Sequence, residues 1–138
     1  MSVIKQRFLL FTLVMVLTFS AAAQQQEWFG FTAYPGAREL CSQSVLGGHA
    51  EILWHSYATK DKPSQVIDFY VKDNDKSSNK DTQGQVEQHG NTLTLRRGDT
   101  ILSVRDAAGT DYPECNSKPS AGERTVILVS RMTPRGGQ

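Results

Sequence analysis

The sequence predicts an α+β fold: one short helix packed on an antiparallel sheet, in the order β-α-β-β-β-β, with one disulfide. Three observations predict it. An alternating stretch, His49 to Thr59, is followed by an apolar stripe at helical spacing, Val66, Ile67, Phe69 and Tyr70. Two tight turns, Gly90-Asn91 and Gly98-Asp99, then separate three short strand-like runs, which implies a meander. Two cysteines, Cys41 and Cys115, are the smallest even number for an exported chain.

Export is expected from the N-terminus. Lys5 and Arg7 form a positive leader, Phe8 to Phe19 an apolar run, and Ala21-Ala22-Ala23 a small-residue cleavage site. The apolar run is short of the roughly 20 residues a membrane span needs. Residues 1–23 are therefore read as a signal peptide and 24–138 as a single α+β domain, periplasmic or secreted. Membrane association would come only through an uncleaved signal anchor. In the oxidising compartment a Cys41–Cys115 bridge is expected, and closing so long a loop is worth about 4 kcal/mol in the chain-entropy model.

The chain of 138 residues carries 15 basic and 14 acidic side chains. Losing Lys5 and Arg7 with the leader keeps the domain near neutral, which argues against nucleic acid as a partner. Its 11 glycines have no three-residue period, so it is not collagen-like. Apolar runs recur to the C-terminus, so it is not disordered throughout.

The elements follow in order. Glu27 to Tyr34 is aromatic-rich and of ambiguous periodicity, and Pro35-Gly36 breaks it. Ala37 to Leu46 is ambiguous too, and Gly47-Gly48 ends it. In the strand His49 to Thr59, Ala50, Ile52, Trp54 and Ser56 suit a core face, while His49, Glu51, Leu53, His55 and Tyr57 suit a partly wet one. Pro63 opens the helix, where its missing N–H costs nothing, and the helix runs to Val71 or Lys72. Asp73 to Gly84 is polar and reads as a connection with nothing to bury. Gln85 to His89, Thr92 to Arg96 and Thr100 to Arg105 are strands. Asp106 to Gly122 is a long loop that Cys115 would tether. Thr125 to Ser130, with Val126, Ile127, Leu128 and Val129, is apolar on both faces and reads as a central strand covered on both sides.

Tyr34-Pro35-Gly36-Ala37, followed by Tyr57-x-Thr59-x-Asp61-x-Pro63-x-x-Val66-x-x-Phe69-Tyr70, resembles a pattern in small exported bacterial proteins of uncharacterised function. The resemblance implies export and an α+β architecture, and it brings no activity or catalytic residue with it. The element order is also similar to that of the cystatins, secreted protease inhibitors. Their Gln-x-Val-x-Gly hairpin motif is absent: the nearest stretch, Gln83-Gly84-Gln85-Val86-Glu87, fails at its third and fifth positions.

The candidate chemistry is sparse. His49 and Glu51 are candidate metal ligands on one strand face. His49 and His55 are about 20 Å apart along a regular strand, too far for one ion. Asp73-Asn74-Asp75 opens like a calcium loop, but Ser78 and Gly84 stand where Gly and Glu are required. Arg97-Gly98-Asp99 is explained by its hairpin turn. There is no Gly-x-Ser-x-Gly, no phosphate loop and no dinucleotide fingerprint, so no catalytic residue and no cofactor are expected. Trp28, Phe29 and Phe31 make a sticky aromatic segment, and Arg96 and Arg97, with Arg105, a modest basic patch; the first five are the candidate binding residues.

The expectation is an exported, non-catalytic domain that binds a protein or small ligand in the cell envelope or outside the cell. The alternatives are a small metal-dependent or hydrolytic enzyme using His55 or His89, and a cystatin-like inhibitor.

Overall fold

The two stretches of ambiguous periodicity are strands. The computed structural model describes residues 26–77, 83–108 and 117–136. Among them strand accounts for 52% and helix for 13%. The chain is mostly β, which corrects the predicted α+β class and its β-α-β-β-β-β order. Four strands, not one, precede the helix.

The first two strands, β1 (Glu27–Trp28) and β2 (Phe31–Thr32), form a separate two-stranded hairpin. Arms of two residues are too short to show any period. A six-stranded antiparallel sheet follows: β3 (Arg38–Leu46), β4 (Ala50–Thr59), β5 (Gln85–His89), β6 (Thr92–Arg97), β7 (Thr100–Asp106) and β8 (Thr125–Pro134). Its spatial order is β3-β4-β8-β7-β6-β5. The helix α1 (Pro63–Asp75) lies in the chain between β4 and the far edge strand β5, and it packs on β6, β7 and β8.

The strand β3 hides its period for two reasons. It is an edge strand, where polar side chains guard against stray pairing. A bulge between Glu39 and Cys41 also breaks the alternation. The bulge lets Leu40 and Cys41 both pack with Ala58.

The faces of β4 are the reverse of those predicted. Tyr57 belongs to the main core, beside Trp28, Val66, Tyr70 and Ile127. Ile52 is 42% exposed on the opposite face. Alternation shows that a strand has two faces, but the helix and the β1–β2 hairpin choose which is covered. The strand β8 is central, between β4 and β7, as its continuous apolar run predicts. Its Ile127 and Val129 are fully buried, while Leu128 and Ser130 are only half-buried on the face that no described element covers.

Helix α1 starts at Pro63, where the Lys62 N–H donates to the Gln65 side chain at 3.0 Å. It buries Val66, Ile67 and Tyr70 and runs to Asp75, past the predicted end at Val71 or Lys72. The extra turn corrects the reading of Asp73 to Gly84 as having nothing to bury. Asn74 is 2% exposed and exchanges two hydrogen bonds with Gly84, taking its N–H at 2.8 Å and donating to its carbonyl at 3.3 Å.

Residues of the Tyr34–Tyr70 stretch gather in space. The Tyr34 hydroxyl donates to Asp61 at 2.6 Å, and its ring meets Phe69 edge-on at 5.1 Å. Burial and then the Asp61 carboxylate push the Tyr34 hydroxyl up to about 12. The pattern thus marks a packing knot that joins the β2–β3 turn to the start of the helix.

The predicted disulfide is described at one end only, where Cys41 is disulfide-bonded. Its predicted partner Cys115 lies outside the described residues, as do residues 109–116 of the predicted Asp106–Gly122 loop.

One ion pair gives the fold an acid-sensitive link. Arg38 donates to Glu123 through Nε at 2.9 Å and Nη2 at 2.8 Å, and the Ser120 N–H donates to the same carboxylate at 2.7 Å. The Arg38 hydrogen bonds, against the opposing effect of burial, hold the Glu123 carboxyl down from 4.5 to about 2. A group depressed in the folded state stabilises fully above its unfolded pKa and loses that contribution as pH falls through the folded value. Glu123→Gln should therefore flatten the fall in stability between about pH 5 and pH 2, measured by denaturant melts across that range. Parallel wild-type and variant curves would show that the pair contributes nothing.

Candidate functional site

One cleft lies between the β1–β2 hairpin and the β3–β4 edge of the sheet. It holds about 260 Å³ and is lined by Gln26, Glu27, Trp28, Phe29, Glu39, His55 and Tyr57.

The sequence builds it in three steps. Tyr57 and His55 are two apart on β4, so both point to the same face. The bulge in β3 leaves Glu39 opposite Tyr57, and a carboxylate there reaches His55 diagonally: Glu39 Oε1 lies 3.0 Å from His55 Nδ1. The hairpin then folds over this surface. Trp28 stacks on Tyr57 with centroids 3.7 Å apart, and Phe29 meets His55 edge-on at 5.1 Å. Burial, and then Glu39, push the Tyr57 hydroxyl up to about 12.

Phe29 is held under strain. It and Gly30 make the hairpin turn with φ of 50° and 85°. Both central residues being left-handed suits a two-residue hairpin loop, normally filled by Asn-Gly or Asp-Gly. A phenylalanine there costs about 1–2 kcal/mol. Its ring sits against His55 on one side, and the Arg131 guanidinium lies 4.6 Å from its centroid. Backbone strain that places a side chain in a cleft is a feature of binding sites. Phe29→Asn should change stability by less than about 1 kcal/mol, because relief of strain offsets lost packing of a half-buried ring. A denaturant melt checks this, and a loss of several kcal/mol would make Phe29 a core residue instead.

The hairpin is clamped from behind. Thr32 Oγ1 donates to Asp73 at 3.1 Å. Arg97 donates to the Gly30 carbonyl at 3.1 Å and to Asn74 Oδ1 at 3.3 Å, with its guanidinium 4.6 Å over the Phe31 ring.

The predicted binding residues therefore divide. Trp28 and Phe29 line the cleft. Phe31 is fully buried and Arg97 is a clamp, so neither is available to a ligand. Arg96 lies on the other face of the sheet, beside Asp99 and Ile101. The candidate metal ligands do not converge. His49 is exposed at the β3–β4 turn, and Glu51 accepts from Ser44 at 2.6 Å. His89 is on β5, four strands from β4 and so about 19 Å away, paired at 3.0 Å with the exposed Glu87. Among the described residues no three His, Cys, Asp or Glu side chains are grouped to hold a metal ion. Nor is any described helix long and apolar enough to cross a membrane.

Glu27, Glu39 and Tyr57 were not legible as site residues. The signal for Tyr57 lay in its two-residue spacing from His55. Glu39 had none, because the bulge that aims it leaves no pattern.

Two other surfaces compete less well. A larger hollow of about 430 Å³, lined by Arg38, Lys60, Asp61 and Glu123 among others, has both carboxylates engaged, by Tyr34 and Arg38. The uncovered sheet face exposes Val45, Ile52 and Met132 beside Trp54, Leu128 and Ile101. Four strands by about five residues make a patch of roughly 300 Å², well under the ~800 Å² per partner of a stable interface.

Neither a scan of protein-family models, nor a search of curated proteins, nor one of solved structures finds a match to this chain.

Proposed function

We propose that the chain is an exported, non-catalytic binding domain, periplasmic or secreted, that holds a small ligand in the cleft between the hairpin and the sheet. The observation that carries this reading is the convergence of Trp28, Phe29, His55 and Tyr57 with Glu39 around one cleft of about 260 Å³. Small-ligand sites are concave, mostly apolar, and carry a few convergent polar groups. The signal-like leader and the likeness to small exported bacterial proteins support the location.

A hydrolytic reading rests on the His55–Glu39 contact of 3.0 Å. A base oriented by a carboxylate needs a nucleophile within reach. The residues lining the cleft include no serine, threonine or cysteine, which favours binding over acyl transfer.

The test is a fragment screen followed by amide chemical shifts. Hits that shift residues of β1, β3 and β4 around the cleft, and lose affinity in Trp28→Ala or His55→Ala, are the expected result. Hits that cluster on the uncovered sheet face would move the site there. Turnover of simple esters that His55→Ala abolishes would replace binding by catalysis.

A further inference from the structure

We infer that the ligand of this cleft carries an organic cation, an alkylated ammonium head group, an inference that rests on the cleft being the binding site. The charge of the lining is one-sided. Glu27 and Glu39 are its carboxylates, Gln26 adds an amide, and no lysine or arginine is among the residues that line it. Glu39 is 51% exposed at its side chain, so it can meet a ligand while it holds His55. An anionic ligand would face two carboxylates across a space a few ångströms wide, and like charges at that range repel.

The aromatic wall decides between a cation and a neutral sugar. A saccharide packs its ring on a broad, open aromatic face. Here Trp28 and Tyr57 are stacked on each other at 3.7 Å and are only 7% and 8% exposed. They offer a narrow apolar wall, suited to a few alkyl groups and not to a pyranose. The volume agrees: about 260 Å³ falls below the roughly 300–1,000 Å³ of sites for larger ligands. The Arg131 guanidinium already lies 4.6 Å from the Phe29 centroid, so the carboxylates rather than that ring must meet the ligand's charge. The Trp28 indole N–H is buried and has no partner among the described residues. Its resonance therefore reports on changes in the wall that Trp28 forms. A head group with alkylated nitrogen matches the two carboxylates and the narrow apolar wall of the lining.

The experiment follows the Trp28 indole resonance of the nitrogen-15-labelled full chain during titration with choline. Its uncharged counterpart of the same shape, 3,3-dimethylbutan-1-ol, together with methyl glucoside and acetate, serves as comparison. A saturable shift with choline is expected, with at least tenfold weaker binding of the neutral alcohol. Glu39→Gln keeps the shape and the contact with His55 and should weaken choline at least tenfold while the alcohol is unaffected. Equal binding of choline and the alcohol would overturn the cation and leave the cleft standing as an apolar site. A shift with methyl glucoside or acetate alone would also overturn the cation and keep the cleft. No shift with any of the four would overturn the cation, and the fragment screen then decides the cleft independently. If Glu39→Gln fails to fold, the contrast between choline and its isostere in the wild-type chain still decides.

Discussion

Phe31→Ala should cost about 3–5 kcal/mol of stability, the range for removing a fully buried aromatic side chain. Phe31 is 0% exposed, in a core cluster with Trp28, Val66, Tyr70 and Leu95. It sits in a hairpin with two-residue arms, which has almost no hydrogen-bonded ladder of its own and would not persist alone. The ring is what roots the hairpin in the main core. Its loss also removes the surface on which the Arg97 guanidinium lies at 4.6 Å. Urea melts of wild type and variant check the value. The contrast with Phe29→Asn, two residues away, separates root from wall: one change unfolds the hairpin and the other only reshapes the cleft. A loss below about 1 kcal/mol for Phe31→Ala would mean that the hairpin is dispensable to the core.

Asn74→Ala should cost about 2–4 kcal/mol, because a buried hub loses its side chain while its partners stay behind. The Asn74 amide takes the Gly84 N–H, donates to the Gly84 carbonyl and accepts from Arg97 Nη2 at 3.3 Å. Removing it strands a backbone donor, a backbone acceptor and part of a guanidinium in a site that water does not reach freely. Hydrogen exchange at Gly84 should accelerate with the loss. The same junction leaves no room at Gly84. A Cβ there would meet the Arg96 carbonyl at 2.8 Å and Arg97 Cγ at 2.9 Å. Gly84→Ala should accordingly destabilise as well, through backbone that cannot give way, and circular-dichroism melts of the two variants should fall in the same direction. An Asn74→Ala chain as stable as wild type would show that water replaces the amide.

How far the fold was legible follows from how locally each element declares itself. The helix stripe Val66, Ile67 and Tyr70 was visible because one face of a helix is buried along its whole length. The meander from β5 to β7 was visible because its turns carry Gly-Asn and Gly-Asp. The central place of β8 followed from its apolar run, but the cover expected on both faces is found on one: Leu128 and Ser130 are half-buried on a face that no described element covers. By contrast β3 was not legible, because an edge strand with polar side chains and a bulge loses the alternation that identifies strands. The hairpin β1–β2 was hidden for another reason: Phe29-Gly30 is not the usual residue pair for its turn, and the strain is offset by what the Phe29 ring touches.

The candidate site was legible in pieces. The aromatic segment Trp28-Phe29 and the strand residue His55 stood out separately, and nothing in the sequence joined them. What the amino-acid sequence by itself determined is local: the helix and its start, the turns and the strands that alternate or run apolar. What only the tertiary structure decided is non-local: which face of β4 is covered, that Phe31 and Arg97 hold the molecule together and meet no ligand, and that Glu39 comes to His55. The physical reason is that periodicity records which side chains share a face, whereas the choice of face depends on what packs against it. Here that choice was made by a helix and a hairpin from opposite sides of β4 in the chain, and the hairpin's packing over Tyr57 and His55 makes the cleft.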